Sequence, residues 1–404
     1  MSTDQTTTST EATQHGPSVA LLTTMAVAAG ALVANLYYAQ PLIASIAPDI
    51  AISKDLAGSI VSITQIGYGI GLLFLVSLAD LVENKRLVLV TLAVTALGLV
   101  GAAISTSVVS FFAASFVIGV ASTGAQVVIP FVVHLAPPER RGRIVGNVMV
   151  GLLTGIMLAR PAALFIGSAL GWRAVFWASA GLMIVIGLSL WRMMPEHKPR
   201  SGMHYGQILL SMVKLFREFP SLRRRASYQA VMFCGFNMFW TTVPLMLSDR
   251  LHLSQQAIAL FALAGAGGAF AAPIAGRLAD RGLIRATTVG MMILAGVTFF
   301  STRFAVDAMM VVPLAILAIL FDGAVQGNQI CSQRIIFSGP METRGRVNAI
   351  YMTSLFFSGA IGSVVGTVSY HHGGWELTSA IGGLLGVAML MLFATELRQR
   401  PHAA

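Results

Sequence analysis

Asp322 is the single acid placed near the middle of a long apolar stretch, and Arg160 is the single base. An ionised side chain at that depth in hydrocarbon costs on the order of 2.5–3.5 kcal/mol on insertion scales, so it needs a partner, water or a proton. A carboxyl group there could bind and release a proton. A proton moving inward across an energised membrane gains about 2.3 kcal/mol per 100 mV. Asp322 is therefore expected to carry a coupling proton; the alternative is a structural acid paired with Gln or Arg. Arg160 could meet an acid, a substrate anion, or the backbone carbonyl that Pro161 frees four residues back. Both a functional and a structural reading of Arg160 stand open.

Polar residues run beside these charges. Gln326, Gln329 and Gln333 follow Asp322 at i+4, i+7 and i+11, on one helical face. Thr123, Gln126 and His134 make a similar stripe in another apolar stretch, Asn35 and Tyr38 in a third, and Asn237, Trp240 and Thr241 in a fourth. A polar face in hydrocarbon is unfavourable unless it meets protein or water, and a shared aqueous cavity meets that need. Gln40, Tyr37 and Tyr38 could touch a substrate there, although interfacial anchoring explains the tyrosines almost as well. Tyr, Phe, Trp, Met and Gln around such a cavity suit a small, partly apolar molecule better than a highly charged one. Enzymes fit poorly: there is no G-x4-G-K-[ST] phosphate loop, catalytic triad or metal-spaced cluster, so no cofactor and no metal is expected. Cys234 and Cys331 read as small packing residues.

The elements that carry these residues are membrane spans. The chain is 56% hydrophobic and 10% charged, where a soluble protein needs roughly a quarter of its residues charged. Apolar runs of spanning length fall at about 18–42, 56–78, 87–106, 109–134, 144–168, 172–193, 226–247, 255–278, 284–303, 308–333, 347–370 and 375–395. These make twelve spans. The net charge of +10 does not indicate a nucleic-acid partner, because its placement follows the membrane. Of 26 Lys and Arg, 21 lie in alternate loops plus the C-terminus; only Lys54, Arg173, Arg250 and Arg303 lie in the opposite set, with Arg160 inside a span. That bias predicts a cytoplasmic position for both termini and the central loop. The polar, Thr-rich start lacks the basic residues of a signal peptide and reads as a disordered tail.

Landmarks recur at one spacing. Asn35, Tyr37, Tyr38, Pro41 and Leu42 match Asn237, Phe239, Trp240, Pro244 and Leu245 at offsets of 202–203. Gln126 matches Gln329, Glu139–Arg143 matches Glu342–Arg346, and Gly171–Trp172 matches Gly374–Trp375, all at 203. Such order marks a duplicated unit of about half the chain. The expected organisation is a tail at 1–17, a six-helix bundle at 18–193, a linker at 194–225, a second bundle at 226–395 and a tail at 396–404. In the linker, Ile208, Met212, Leu215 and Phe219 share one face, with Lys214, Arg217 and Arg223–Arg225 adding charge. This predicts a short helix lying on the inner membrane surface, apolar side down, with a simple tether between the halves as the alternative. Glycines gather in spans two, five, eight and eleven, and are expected to form the contacts between the halves, with packing inside one half as the alternative.

The chain resembles the major facilitator superfamily over nearly its whole length. Within it the likeness is to bacterial drug:proton antiporters whose first span carries N-x-Y-Y-x-Q-P-L, here Asn35–Leu42. The superfamily loop signature G-x-L-A-D-R-x-G-R-K is met after span two by Leu78, Ala79, Asp80, Lys85 and Arg86, with Val76 and Leu81 departing from it. After span eight it is met by Gly276, Leu278, Ala279, Asp280 and Arg281. The resemblance implies an all-α membrane protein of twelve transmembrane helices in two pseudo-symmetric six-helix bundles, with spans one, four, seven and ten lining a cavity. It also makes spans eleven and five the neighbours of Asp80 and Asp280. An acid there can face a helix N-terminus, and Arg344, Arg346, Arg141 and Arg143 flank those two starts. Such contacts would act as conformational latches that hold the outward-open state and release during the switch, with charges that serve loop topology only as the alternative. The expected function is a monomeric, multi-pass transporter of the bacterial inner membrane. It would export a small molecule against proton entry by alternating access, with the small molecule, protons and lipid as its partners. A sugar or metabolite carrier, and a non-transporting sensor on the same fold, remain alternatives.

Overall fold

The computed structural model describes residues 17–137, 139–198, 204–268, 271–340 and 343–398. The expected disordered start lies outside these residues apart from Pro17, as do the last six residues and Glu342. The described chain is helical throughout, without strands. Among the described residues, ten helices are long and apolar enough to cross a membrane. The last of them, α16 (Arg344–Arg398), is interrupted at Gly373–Gly374, where Gly374 takes φ +60°, and so supplies two spans. The shorter α1 (Val19–Ala34) completes the twelve.

The regular helix of span one stops at Ala34, turns through residues 35–39, and resumes as a 3-10 turn at Gln40–Leu42 and a short α2 (Ile43–Asp49). Pro41 imposes the break, since it has no N–H to give and its ring clashes with the preceding turn. Spans two and three are α3 (Ser59–Leu78) and α4 (Asn84–Ile104). Span four divides into α5 (Val108–Ser122) and α6 (Ala125–Leu135). Spans five and six are α7 (Arg141–Leu170) and α8 (Trp172–Met193). The linker forms α9 (Tyr205–Glu218), and span seven is α10 (Pro220–Asp249), opened by Pro at its first turn. Span eight is broken into α11 (Gln255–Ala262), α12 (Ala264–Gly267) and α13 (Ala271–Asp280). Spans nine and ten are α14 (Ile284–Asp307) and α15 (Val311–Ile336).

The duplication is visible in the backbone. Gly171 takes φ +83° between spans five and six, and its repeat partner Gly374 takes φ +60° between eleven and twelve. Both are left-handed turns that glycine adopts without a Cβ clash. Asp49 accepts from Trp172 Nε1 at 2.9 Å, and Asp249 accepts from Tyr370 Oη at 3.3 Å. Each bond ties the end of a half's first span that lies away from the basic loops to that half's last helices.

The glycine stripes behave differently from expectation: most close contacts lie inside a half. A side chain on Gly151 would strike the Ala26 backbone of span one, and one on Gly155 would strike Gly30. In the second half, Gly362 meets the Cys234 backbone and Gly366 meets Met238, joining spans eleven and seven. Gly67 and Gly71 pack on span four, and Gly268 on span ten. Gly69, against Phe357, and Gly359, against Gln65, do cross between the halves. Small residues matter most where two backbones must touch, as they do between spans one and five, two and four, and seven and eleven.

The halves join along one long edge. Spans two and eleven meet through Gly58 N to Thr367 Oγ1 (3.2 Å), Ser62 Oγ to Ala360 O (2.5 Å) and Thr353 Oγ1 to Gly69 O (3.1 Å). Tyr68 packs on Phe356, their centroids 4.4 Å apart. On the other edge, span five packs against α11 and α12 of span eight, while α13 packs on spans nine and ten. A side chain added at Gly146 or Gly276, near the basic ends of spans five and eight, would meet nothing within 4 Å.

The linker helix was expected to face lipid with Ile208, Met212 and Leu215; instead these are buried against the bundle. Tyr205 Oη donates to Phe74 O of span two (2.9 Å), and Ser211 Oγ accepts from Arg346 of span eleven (2.6 Å). The exposed apolar residues of α9 are Leu210, Val213 and Phe216.

Candidate functional site

Where the halves meet, polar side chains from five spans form one network. The break at Pro41 turns Gln40 inward, where it is 1% exposed. Its Oε1 accepts from Arg160 Nε of span five at 2.8 Å. Its Nε2 donates across the interface to Thr241 Oγ1 at 3.1 Å and to Asn237 Oδ1 at 3.5 Å. Gln65 of span two donates to the same Asn237 oxygen. Asn237 Nδ2 returns to the Phe233 carbonyl of its own helix (3.1 Å), and Thr241 Oγ1 donates to Ser363 Oγ of span eleven (3.1 Å). Asn237 is fully buried and takes hydrogen bonds from two glutamines of the other half, so it is the hub of the interface.

The two buried charges communicate through an indole. Trp240 Nε1 donates to Asp322 Oδ1 at 2.8 Å. Arg160 Cζ lies 4.7 Å from the Trp240 ring centroid, 4.9 Å from Tyr37 and 5.3 Å from Phe236. Cation–π contacts of this kind contribute about 0.5–2 kcal/mol each, more when desolvated. Glycines on span eight make room for the acid: a Cβ on Gly268 would fall on Asp322, and one on Gly265 would meet Trp240 and Asp322 Oδ2. Among the described residues no carboxylate lies within ion-pair distance of Arg160, and its buried Nη2 has no hydrogen-bond partner. The arrangement holds no activated nucleophile. It can bind a solute, hold charge and exchange a proton.

Of the expected residues, the structure brings Gln40, Arg160, Asn237, Trp240, Thr241 and Asp322 together. Asn35 points elsewhere: its Oδ1 accepts from Ser179 of span six at 2.7 Å, and Tyr38 is half-buried. Thr123 Oγ1 is spent on Val120 O of its own helix (2.7 Å). Gln126 Nε2 donates to Tyr68 Oη at 3.1 Å, within the first half. Gln326 and Gln329 are half-buried beyond Asp322 on span ten. Gln65, Phe236, Ser363 and Tyr68 belong to the site or its rim and were not picked out from sequence. A mid-span glutamine such as Gln65 was a legible signal; Phe236 and Ser363 carried none.

At the basic end, Arg346 faces Asp80 closely enough for their charges to interact. Asp280 instead pairs with Arg334 of its own half, while Arg141, Arg143 and Arg281 are exposed. Arg344 Nε reaches Gly339 O at 3.4 Å. Glu83 caps span three by accepting from the Lys85 and Arg86 backbone N–H groups at 2.9 and 3.0 Å. A separate lateral cavity of about 490 Å³ between spans nine and twelve is lined by Gly296, Phe300, Gly383 and other apolar groups, and shares no residue with the network.

Twelve spans in two like halves, with a charged polar network where they meet, define a membrane transporter. The chain belongs to the major facilitator superfamily, whose profile matches residues 24–338. It is 36% identical over 380 residues to the uncharacterized transporter YgaY of Escherichia coli strain K12, covering 94% of this chain and 96% of that one. It is 26% identical over 263 residues to a chloramphenicol resistance protein of Streptomyces lividans, covering 64% and 66%. The fold matches that of the nucleoside transporter NupG with a TM-score of 0.74 at 15% identity, over 94% of this chain and all of that one.

Proposed function

We propose that this protein is a secondary active transporter of the inner membrane that exports a small, partly apolar organic molecule in a proton-coupled, alternating-access cycle. The observation that carries this reading is the Arg160–Trp240–Asp322 link between the halves. Protonating Asp322 would remove the charge that Trp240 binds and leave Arg160 without its nearest counter-charge. The two protonation states would then hold the halves together with different strength, and such differential stability is what coupling requires. The resistance protein of S. lividans supports efflux as the direction.

The bias of Lys and Arg supports cytoplasmic termini. With that orientation, the closed contact of Gln40 with Thr241 forms the outer gate, and the parted ends of spans five and eight the inner opening. Asp80 facing Arg346 supports a charge contact between the halves at the basic end of the span two–eleven join. A metabolite carrier is the second reading, favoured by one observation: the fixed charge of Arg160 suits an acidic metabolite.

The test uses proteoliposomes containing an internal pH dye. Substrate-driven proton movement is expected in the wild type and is lost in Asp322→Asn, with binding retained. Unchanged proton movement in that variant would refute Asp322 as the carrier.

A further inference from the structure

The substrate class is written in the surroundings of Arg160, taking the central network as the transport site. Arg160 is 5% exposed in the middle of the bundle. A guanidinium cannot shed its charge there as a lysine can, so it must be compensated. Its compensation is incomplete. Nε is taken by Gln40, a neutral acceptor; Nη2 has no hydrogen-bond partner; and Asp322 is reached only through the Trp240 indole. Tyr37, Phe236 and Trp240 pack their rings within 5.3 Å of the guanidinium carbon. What remains is a charged donor edge set in an aromatic wall. A carboxylate with an aromatic or aliphatic body complements both parts, because guanidinium–carboxylate hydrogen bonds are the strong, directional ones.

We infer that the site takes an organic anion, with its carboxylate on Arg160 at Nη2 and its apolar body against Tyr37, Phe236 and Trp240. The ligand would thereby bridge the two halves, since Tyr37 and Arg160 come from the first half and Phe236 and Trp240 from the second.

The test compares three probes of one shape: benzoate, benzyl alcohol and benzylamine. Each is titrated against the purified full-length protein in nanodiscs, with tryptophan fluorescence and calorimetry as readouts. Benzoate is expected to bind about thirtyfold or more tightly than the neutral and cationic probes, the loss typical of leaving a buried charge unpaired. Arg160→Gln should abolish that preference, and Arg160→Lys should restore part of it. Equal binding of the three probes to the wild type overturns the inference. So does a benzoate preference that survives in Arg160→Gln. If Arg160→Gln does not fold, the wild-type contrast and Arg160→Lys decide the matter. Benzoate binding without any transport in proteoliposomes would overturn the transport reading and leave the subsite standing. Proton-coupled transport confined to neutral solutes, with benzoate inert, would do the reverse.

Discussion

A double-mutant cycle on Arg160 and Asp322 tests the centre of the molecule directly. Arg160 Cζ is 4.7 Å from the Trp240 ring, and Trp240 Nε1 is 2.8 Å from Asp322. Through the indole the two charges are no more than about 10 Å apart, which at an effective dielectric of about 20 is worth about 1.5–2 kcal/mol. Asp322→Asn loses that attraction and exchanges a charge-assisted hydrogen bond from Trp240 for a neutral one, about 1 kcal/mol more. Arg160→Gln loses the same attraction and leaves Asp322 as a lone buried carboxylate. The double variant leaves neither charge stranded. Its destabilisation should therefore fall short of the sum of the singles by about 1.5–2 kcal/mol. Reversible unfolding of the four proteins in mixed micelles measures this. Additivity to within about 0.5 kcal/mol would show that the two charges do not sense each other, and the argument for a charge-coupled site would fail.

Further outcomes follow from other contacts. Gly155→Val should cost about 1–3 kcal/mol by forcing spans one and five apart, whereas Gly146→Ala, which meets nothing within 4 Å, should leave the melting temperature unchanged or raised. Asp80→Asn should slow turnover in a transport assay while leaving substrate affinity and membrane insertion near wild type; a poorly inserted protein would mean the charge serves topology alone. Hydrogen bonds from Trp172, then Arg173, hold the Asp49 carboxyl below its ordinary value. A depressed folded-state value contributes stability above the unfolded pKa of about 3.9 and loses it as pH falls through the lower folded value. The difference in stability between wild type and Asp49→Asn should therefore be constant at neutral pH and shrink only in that acid range.

Much of the architecture was legible because membrane physics restricts the options. Spans must be apolar and about 20 residues long, and repeats of Gly171–Trp172 and Gln126 at one offset disclose the duplication. The charged centre was legible for the same reason, since Asp322 and Arg160 stand out against hydrocarbon. Partner choice was not. Nothing in the order of residues says that Asn35 turns to Ser179 while Gln40, five positions on, crosses to Thr241; the break at Pro41 sets that difference. Asp280 likewise finds Arg334, the residue after the last glutamine of the span-ten stripe, rather than the arginines of span five. The 3.6-residue period marks the apolar face of the linker helix, but periodicity cannot tell whether a hydrophobic stripe will meet lipid or protein.

The continuous join of spans two and eleven acts as the spine of a book, and α9 is bound across its foot through Phe74 and Arg346. Pages hinged on a spine part most at the fore-edge, which here is the line between spans five and eight. Paired spin labels on those two spans should therefore report the widest swings of the working cycle, and labels flanking Ser62 and Ala360 the smallest. A solute leaving the centre would slip out along the fore-edge, beside the same helix that carries Arg160.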